Sequence, residues 1–239
     1  MDEITYKKLD DYLKNIKKIG LKEYREIARM FQFLVEKEIK KIWKLHNQKI
    51  NMRLNKIPIC LEGSAVNTST AFGFIIEEFL TQQLPANYVN ADQSTVNSVF
   101  DFRYKNNEKI ELLVNLKVEK NTSNNNGIVA ANILKNYYKR NNKPKLYLIF
   151  KSKYHIDEKQ SVVLCDNTTN IFLESFITHP GQLKSDSRNW SNVYNVLSGR
   201  LQLPSNRDIH NFNVETIPEP EKILEFMDDL AEKLIATKK

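Results

Sequence analysis

A chain of 239 residues and 28.0 kDa is long enough to bury a real core as one substantial domain or a domain with appendages. Its N-terminus is charged from Asp2 onward, no apolar run approaches the ~20 residues of a membrane span, and no signal peptide is recognisable, so a cytosolic protein without membrane partners is expected. Cys60 and Cys165 are too few and too far apart for a disulfide framework or a Cys-rich zinc site. The net charge of +7 is placed unevenly: residues 1–56 hold fifteen Lys and Arg against eight Asp and Glu, while the charges of residues 57–239 cancel. Such asymmetry fits a polyanionic partner, most simply nucleic acid, although a solvated Lys-rich helix face is the plainer explanation of any one charge run.

Apolar residues recur at helical spacing from Ile4 to Ile19, with Gly20 expected to stop the helix, and again from Leu21 to Leu45, predicting a helical hairpin. His46 then reads as a C-terminal cap rather than a ligand. A basic connection over Lys49–Pro58 and a loop at Leu61–Ser64 lead to N-cap candidates at Asn67, Thr68 and Ser69, and to a helix that runs through Leu84 until Pro85. Residues 85–98 are polar and read as a loop.

The stretch from Val99 to Lys120 reads as two strands joined by a polar turn at Lys105–Glu108. Side chains alternate along a strand, so Ile110, Leu112, Val114, Leu116 and Val118 share an aliphatic face, while Glu111, Leu113, Asn115, Lys117 and Glu119 share the opposite, mostly polar one. In the first strand Phe100, Phe102 and Tyr104 leave Asp101 and Arg103 on the other face, which sets Asp101 beside Asn115 and Lys117. The turn-forming run Asn121–Gly127 follows, then a helix carrying Ile128, Ala131, Ile133, Leu134 and Tyr137, and then Leu146–Phe150, an apolar strand of the kind buried on both faces. Val162–Leu164 is a further strand, and Ile171–Leu173 begins a strand or a short helix. Residues 184–213 are rich in Arg, Asn and Gln, and Pro218 and Pro220 introduce a final helix.

An acid on one strand, a short turn, and then acid-x-Lys on the next resembles the active site of the PD-(D/E)xK nucleases, the superfamily of many type II restriction endonucleases. Asp101 stands for the first acid and Lys117 for the lysine; Asn115 departs from the Asp or Glu usual two residues before it. The resemblance extends from Leu61 to Phe150, and the order hairpin, helix, buried strand matches the family's α/β core, whose crossover helix returns the chain parallel to the catalytic strand. It implies a mixed central sheet with flanking helices, a restriction-endonuclease-like core behind the N-terminal helical hairpin, and Mg2+ as cofactor. Asp101 would be the main metal ligand, helped by the Asn115 side-chain oxygen and a backbone carbonyl such as that of Leu116. A further carboxylate would come from Glu77 or Glu78 on the preceding helix or from Glu119 one pleat along. Lys117 would orient the attacking water and stabilise charge on the phosphate. In this reading residues 1–239 form one nuclease domain, with a basic hairpin over 1–56, the catalytic core over 57–160, and a DNA-contact region with the C-terminal helix over 161–239.

The activity implied is Mg2+-dependent cleavage of both strands of a specific double-stranded DNA site, by a homodimer because one active site cuts one strand. Asn124 and Asn125 in the loop after the catalytic strand, together with Arg188, Asn189, Asn192, Arg200, Gln202, Asn206 and Arg207, are candidates for DNA contact. Arg suits guanine edges and Asn or Gln suits adenine edges. The alternatives are a non-catalytic DNA-binding protein with a nuclease-like core, which the missing carboxylate at Asn115 would explain, and an α/β scaffold or regulatory protein whose polar strand face is simply solvated. His46, His155, His179 and His210 show no metal-binding spacing, and no P-loop, GxGxxG or GxSxG run occurs.

Overall fold

The computed structural model describes residues 4–46, 49–51, 73, 76–91, 99–105, 107–120, 127–140, 143–157, 162–177, 194–195, 200–203 and 209–236. The expected helical hairpin is present as α1 (Tyr6–Asn15) and α2 (Leu21–Leu45). Thr5 caps α1 by accepting from the Lys8 N–H, 3.2 Å away. The helix stops four residues before Ile19 because Lys109 Nζ donates to the carbonyls of Leu13, Lys14 and Ile16, satisfying acceptors that another turn of helix would have used. Gly20 serves instead as the N-cap of α2, its N–H donating to Glu23 Oε2. His46 occupies the C-cap of α2, as its sequence position suggests.

The central sheet has six strands in the order β1 (Lys49–Asn51), β7 (Val162–Phe172), β6 (Lys145–Asp157), β4 (Glu111–Lys120), β3 (Phe102–Tyr104) and β2 (Tyr88–Asn90). β4 and β6 are parallel, with Asn115 opposite Ile149 and Lys117 opposite Lys151; every other pair is antiparallel. Parallel neighbours need a crossover, which α4 (Ala131–Lys139) supplies. Residues 145–152 of β6 are all buried, as the apolar run from Leu146 to Phe150 requires of a central strand covered on both faces. A second sheet, β5 (Gly127–Ala130), β9 (Arg200–Gln202) and β8 (Tyr194–Asn195), is antiparallel throughout. A helix, α3, is described at residue 73 and over 76–81. α5 (Glu174–Ile177) and the expected C-terminal helix α6 (Pro220–Ala236) complete the chain. One hydrophobic cluster runs from Leu9 to Met227 and joins α1 and α2 to the central sheet, α4 and α6.

Besides the early end of α1, several segments differ from the sequence-based expectation, and Val162–Leu164 and Ile171 belong to the single strand β7. Tyr88–Asn90, within the polar stretch 85–98, pairs with β3 and forms an edge of the sheet; Tyr88 is buried among Tyr6, Phe102 and Tyr104, so ring packing outweighs the polar neighbours. Lys49–Asn51, in the basic connection, forms the opposite edge on β7. Ile128 and Val129 belong to β5 rather than to the following helix, both β-branched and both buried.

Beneath this sheet, Glu174 is fully buried at the start of α5. Tyr138 Oη donates to its carboxylate, and the Tyr147 N–H donates to both of its oxygens at 3.0 and 3.1 Å. Burial pushes Glu174 up to about 7, the hydrogen bonds only partly offsetting it. The folded state therefore holds this proton where the unfolded chain, at about 4.5, has released it. The resulting stabilisation is full below about pH 4.5 and is lost as pH rises through about 7, an effect of about 3 kcal/mol. Glu174→Gln keeps one oxygen to accept from Tyr138 and Tyr147; denaturant unfolding from pH 4 to 8 should show a flatter stability profile in the variant than in the wild type.

Candidate active site

Strand β3 is three residues long and β4 is ten, so most of β4 runs on past the end of its antiparallel neighbour. Phe102 lies opposite Val114, and the Asp101 N–H still donates to the Val114 carbonyl at 2.9 Å. Beyond that point the backbone donors on this edge of β4 are met by side chains. Leu116 N–H donates to Asp101 Oδ2 at 2.6 Å, and Val118 N–H donates to Glu77 Oε1 at 2.9 Å. A residue's N–H and C=O leave a strand on the same edge, so the Leu116 carbonyl points out between the two carboxylates.

Glu77 reaches this edge because α3 lies directly against it. A Cβ built on Gly73 would be 2.6 Å from the Val118 carbonyl oxygen, so only glycine permits this approach, and Glu77 follows one helical turn later on the same face. Gly73→Ala should force α3 away from β4 at a cost of about 1–3 kcal/mol and break the contact between Glu77 and Val118. Thermal unfolding would measure the first effect, and loss of protection of the Val118 amide in hydrogen exchange the second.

Asn115 Nδ2 donates to Asp101 Oδ2 at 3.1 Å, which fixes the orientation of the amide. Asn115 Oδ1 is thereby turned to a position where it is buried without a hydrogen-bond donor among the described residues. Burial pushes Asp101 up to about 6, against the lowering effect of the Leu116 N–H and of Lys117. Burial and the neighbouring Asp101 push Glu77 up to about 8, while the Val118 N–H and Lys117 pull it down. Burial lowers Lys117, opposed by the charges of Glu77 and Asp101, and Arg200 adds to the lowering. Lys117 thus lies in the field of both carboxylates.

Four of the residues expected at a catalytic centre are therefore brought together: Asp101, Glu77, Asn115 and Lys117, with Leu116 supplying backbone. Glu78 is not among them; its carboxylate accepts from Gln82 one turn along α3, on a different side of the helix. Glu119 shares the strand face but is taken up by the neighbouring strand, with its Oε1 2.6 Å from Lys151 Nζ and 3.6 Å from Lys153 Nζ. It is buried and charge-paired there, which leaves Glu77 as the second acid of the site. Asn124, Asn125, Arg188, Asn189, Asn192, Asn206 and Arg207 lie outside the described residues, whereas Arg200 and Gln202 belong to β9. Sequence reasoning missed Gly73 and Lys151. Gly73 had a signal, a glycine in a helical pattern four residues before an acid; Lys151 had none, since its partner became visible only from the parallel register.

Among the described residues no three His, Cys, Asp or Glu side chains form a metal-binding group. The oxygens here are instead two carboxylates, an orphaned amide oxygen and a strand carbonyl, a donor set that suits a hard cation keeping part of its water shell. No protein-family model matches the chain, and no curated protein matches it.

Proposed function

We propose that this chain is a Mg2+-dependent endodeoxyribonuclease of the type II restriction kind, hydrolysing phosphodiester bonds in both strands of a double-stranded DNA site as a homodimer. The observation that carries the reading is the buried, donorless Asn115 Oδ1 beside Asp101, Glu77 and Lys117 on the open edge of β4. Asp101, Glu77, Asn115 Oδ1 and the Leu116 carbonyl would hold the Mg2+, which polarises the phosphate and acidifies a water. Burial raises both carboxylates and Asp101 raises Glu77 further, so both would release their protons on binding a cation. Lys117, in the field of both, would orient the attacking water and meet the negative charge that builds on the phosphate. The basic surface of the N-terminal hairpin, including the exposed Lys14, Lys17 and Lys18, supplies sequence-independent attraction to the DNA backbone. Among the described residues no helix is long and apolar enough to cross a membrane.

Plasmid cleavage with Mg2+ and with EDTA tests the activity directly. Asp101→Asn, which keeps an acceptor for the Leu116 N–H, and Lys117→Ala should each lower the metal-dependent rate at least about 10²-fold while leaving DNA binding intact. Normal cutting by both variants would remove the site from consideration.

A second reading, a nuclease-like DNA-binding protein without catalysis, is favoured by the amide at position 115 where the family carries an acid. Asn115→Asp separates the two. In an active enzyme the change should lower Tm without metal, because a third carboxylate meets Asp101, and should enlarge the Mg2+-induced rise in Tm. In a non-catalytic protein the same variant should gain cleavage that the wild type lacks. A wild type that cuts, together with an Asn115→Asp variant whose Mg2+ response is unchanged, would place Asn115 outside the metal's reach.

A further inference from the structure

We propose that a polar shelf on the sheet beside the site seats the sugar-phosphate backbone of the DNA strand being cut, with Lys153 on a phosphate flanking the scissile one; this rests on the nuclease reading above. The strand registers build the shelf. Lys117 lies opposite Lys151, and Glu119 opposite Lys153, across the parallel pair β4 and β6; Lys151 and Lys153 in turn lie opposite Thr169 and Asn167 on β7. Residues opposite one another on neighbouring strands share a face, so the face that carries Lys117 continues sideways through these side chains. α2 packs on the other face, where Asn170 Nδ2 donates to Glu36 Oε2 and Asn170 Oδ1 accepts from Gln32. Exposure rises along the shelf, from buried Glu119 and Lys151 through half-buried Lys153 to exposed Asn167 and Thr169. Lys153 is one strand across and one pleat along from Lys117, about 8 Å between backbones, so the two ammoniums serve different phosphates.

Charge decides the occupant. Lys151 Nζ stands 2.6 Å from Glu119 Oε1 and balances it, with 10% of the lysine side chain exposed. Lys153 Nζ stands 3.6 Å from the same oxygen, beyond hydrogen-bonding distance, with 23% of its side chain exposed. Two ammoniums on one carboxylate oxygen leave a positive charge over, and among the described residues Glu119 is the only carboxylate that Lys153 reaches. A structural ion pair needs Lys151 alone. The surplus ammonium on the open side of that pair attracts an anion, and a compact point charge without a planar fork suits a phosphate. The amide of Asn167 and the hydroxyl of Thr169 beside it are groups that hold phosphate and sugar oxygens without reading sequence.

The test compares wild type, Lys153→Gln, Lys153→Arg and Thr169→Val, with thermal unfolding as the check that each is folded. Lys153→Gln leaves Glu119 with Lys151, and Thr169→Val keeps the side-chain shape at an exposed position. Binding of two unrelated fluorescent duplexes in EDTA is followed against salt, so the readout does not depend on cleavage. Lys153→Gln should weaken both duplexes alike and reduce the slope of log K against log salt by about one, and Lys153→Arg should restore the slope. Thr169→Val should weaken both duplexes about fivefold at an unchanged slope, since a hydroxyl releases no counterion. A wild-type slope in Lys153→Gln overturns the inference, as does unchanged binding by Thr169→Val or a wild type that binds neither duplex. A loss confined to one duplex would make the shelf a base reader and overturn it too. Plasmid cleavage by the wild type with Mg2+ keeps the two readings apart. If the wild type does not cut but the slope still falls in Lys153→Gln, the phosphate contact stands and the catalytic reading falls. If the wild type cuts and Lys153→Gln keeps its slope, the reverse holds.

Discussion

Backbone donors on a strand edge that is buried and lacks a neighbouring strand must find acceptors or cost about 1–3 kcal/mol each. In this protein β3 ends while β4 continues, and the donors of Leu116 and Val118 take the carboxylates of Asp101 and Glu77 in place of a neighbouring strand. The remainder of the site follows from that substitution. The acids are held by main chain, so their positions are as firm as the sheet itself. Their burial raises their proton affinity, and the negative charge they carry when ionised favours the charged form of the neighbouring Lys117. A cluster of buried carboxylates is thus produced by the same hydrogen-bond accounting that terminates a strand.

The supporting framework is rigid where the chemistry needs it. β4 is flanked by the parallel β6, whose central residues are buried on both faces, and α3 is seated by the bare backbone of Gly73 against Val118. Charge is also sorted across the two parallel strands. Glu119 goes to Lys151 and Lys153, which neutralises an acid that would otherwise compete with Glu77 for Lys117. A buried ion pair of this kind adds little net stability, since desolvation offsets the attraction, so its value lies in fixing which acid faces which partner.

What could be read in the sequence was whatever rests on a short period. The alternation in 110–119 separated Asn115, Lys117 and Glu119 from the aliphatic face, and the spacing of α2 and α6 marked their helices. Asp101 could be placed opposite Asn115 because a short turn fixes hairpin register. Choosing among Glu77, Glu78 and Glu119 could not be done this way, because the answer lies in a helix-to-strand approach and in a parallel register between residues far apart in the chain. Tyr88–Asn90 was misread as loop for a related reason: three residues are too few for a periodic signal, and their strand exists only because β3 and the surrounding rings are there to receive it. The arrest of α1 by Lys109, about ninety residues away, is equally invisible to any local pattern.

The carboxylates on β4 also bear on solubility. An unpaired strand edge is a template on which another chain can add a strand, and proteins commonly blunt such edges with charge. Asp101 and Glu77 do this for β4 by occupying its donors with groups that carry no further ladder. The proposed metal site and the protection of this strand edge therefore fall on the same two side chains. Drift toward apolar residues at either position would leave the Leu116 and Val118 donors without acceptors, so polar side chains are favoured there whatever the site does.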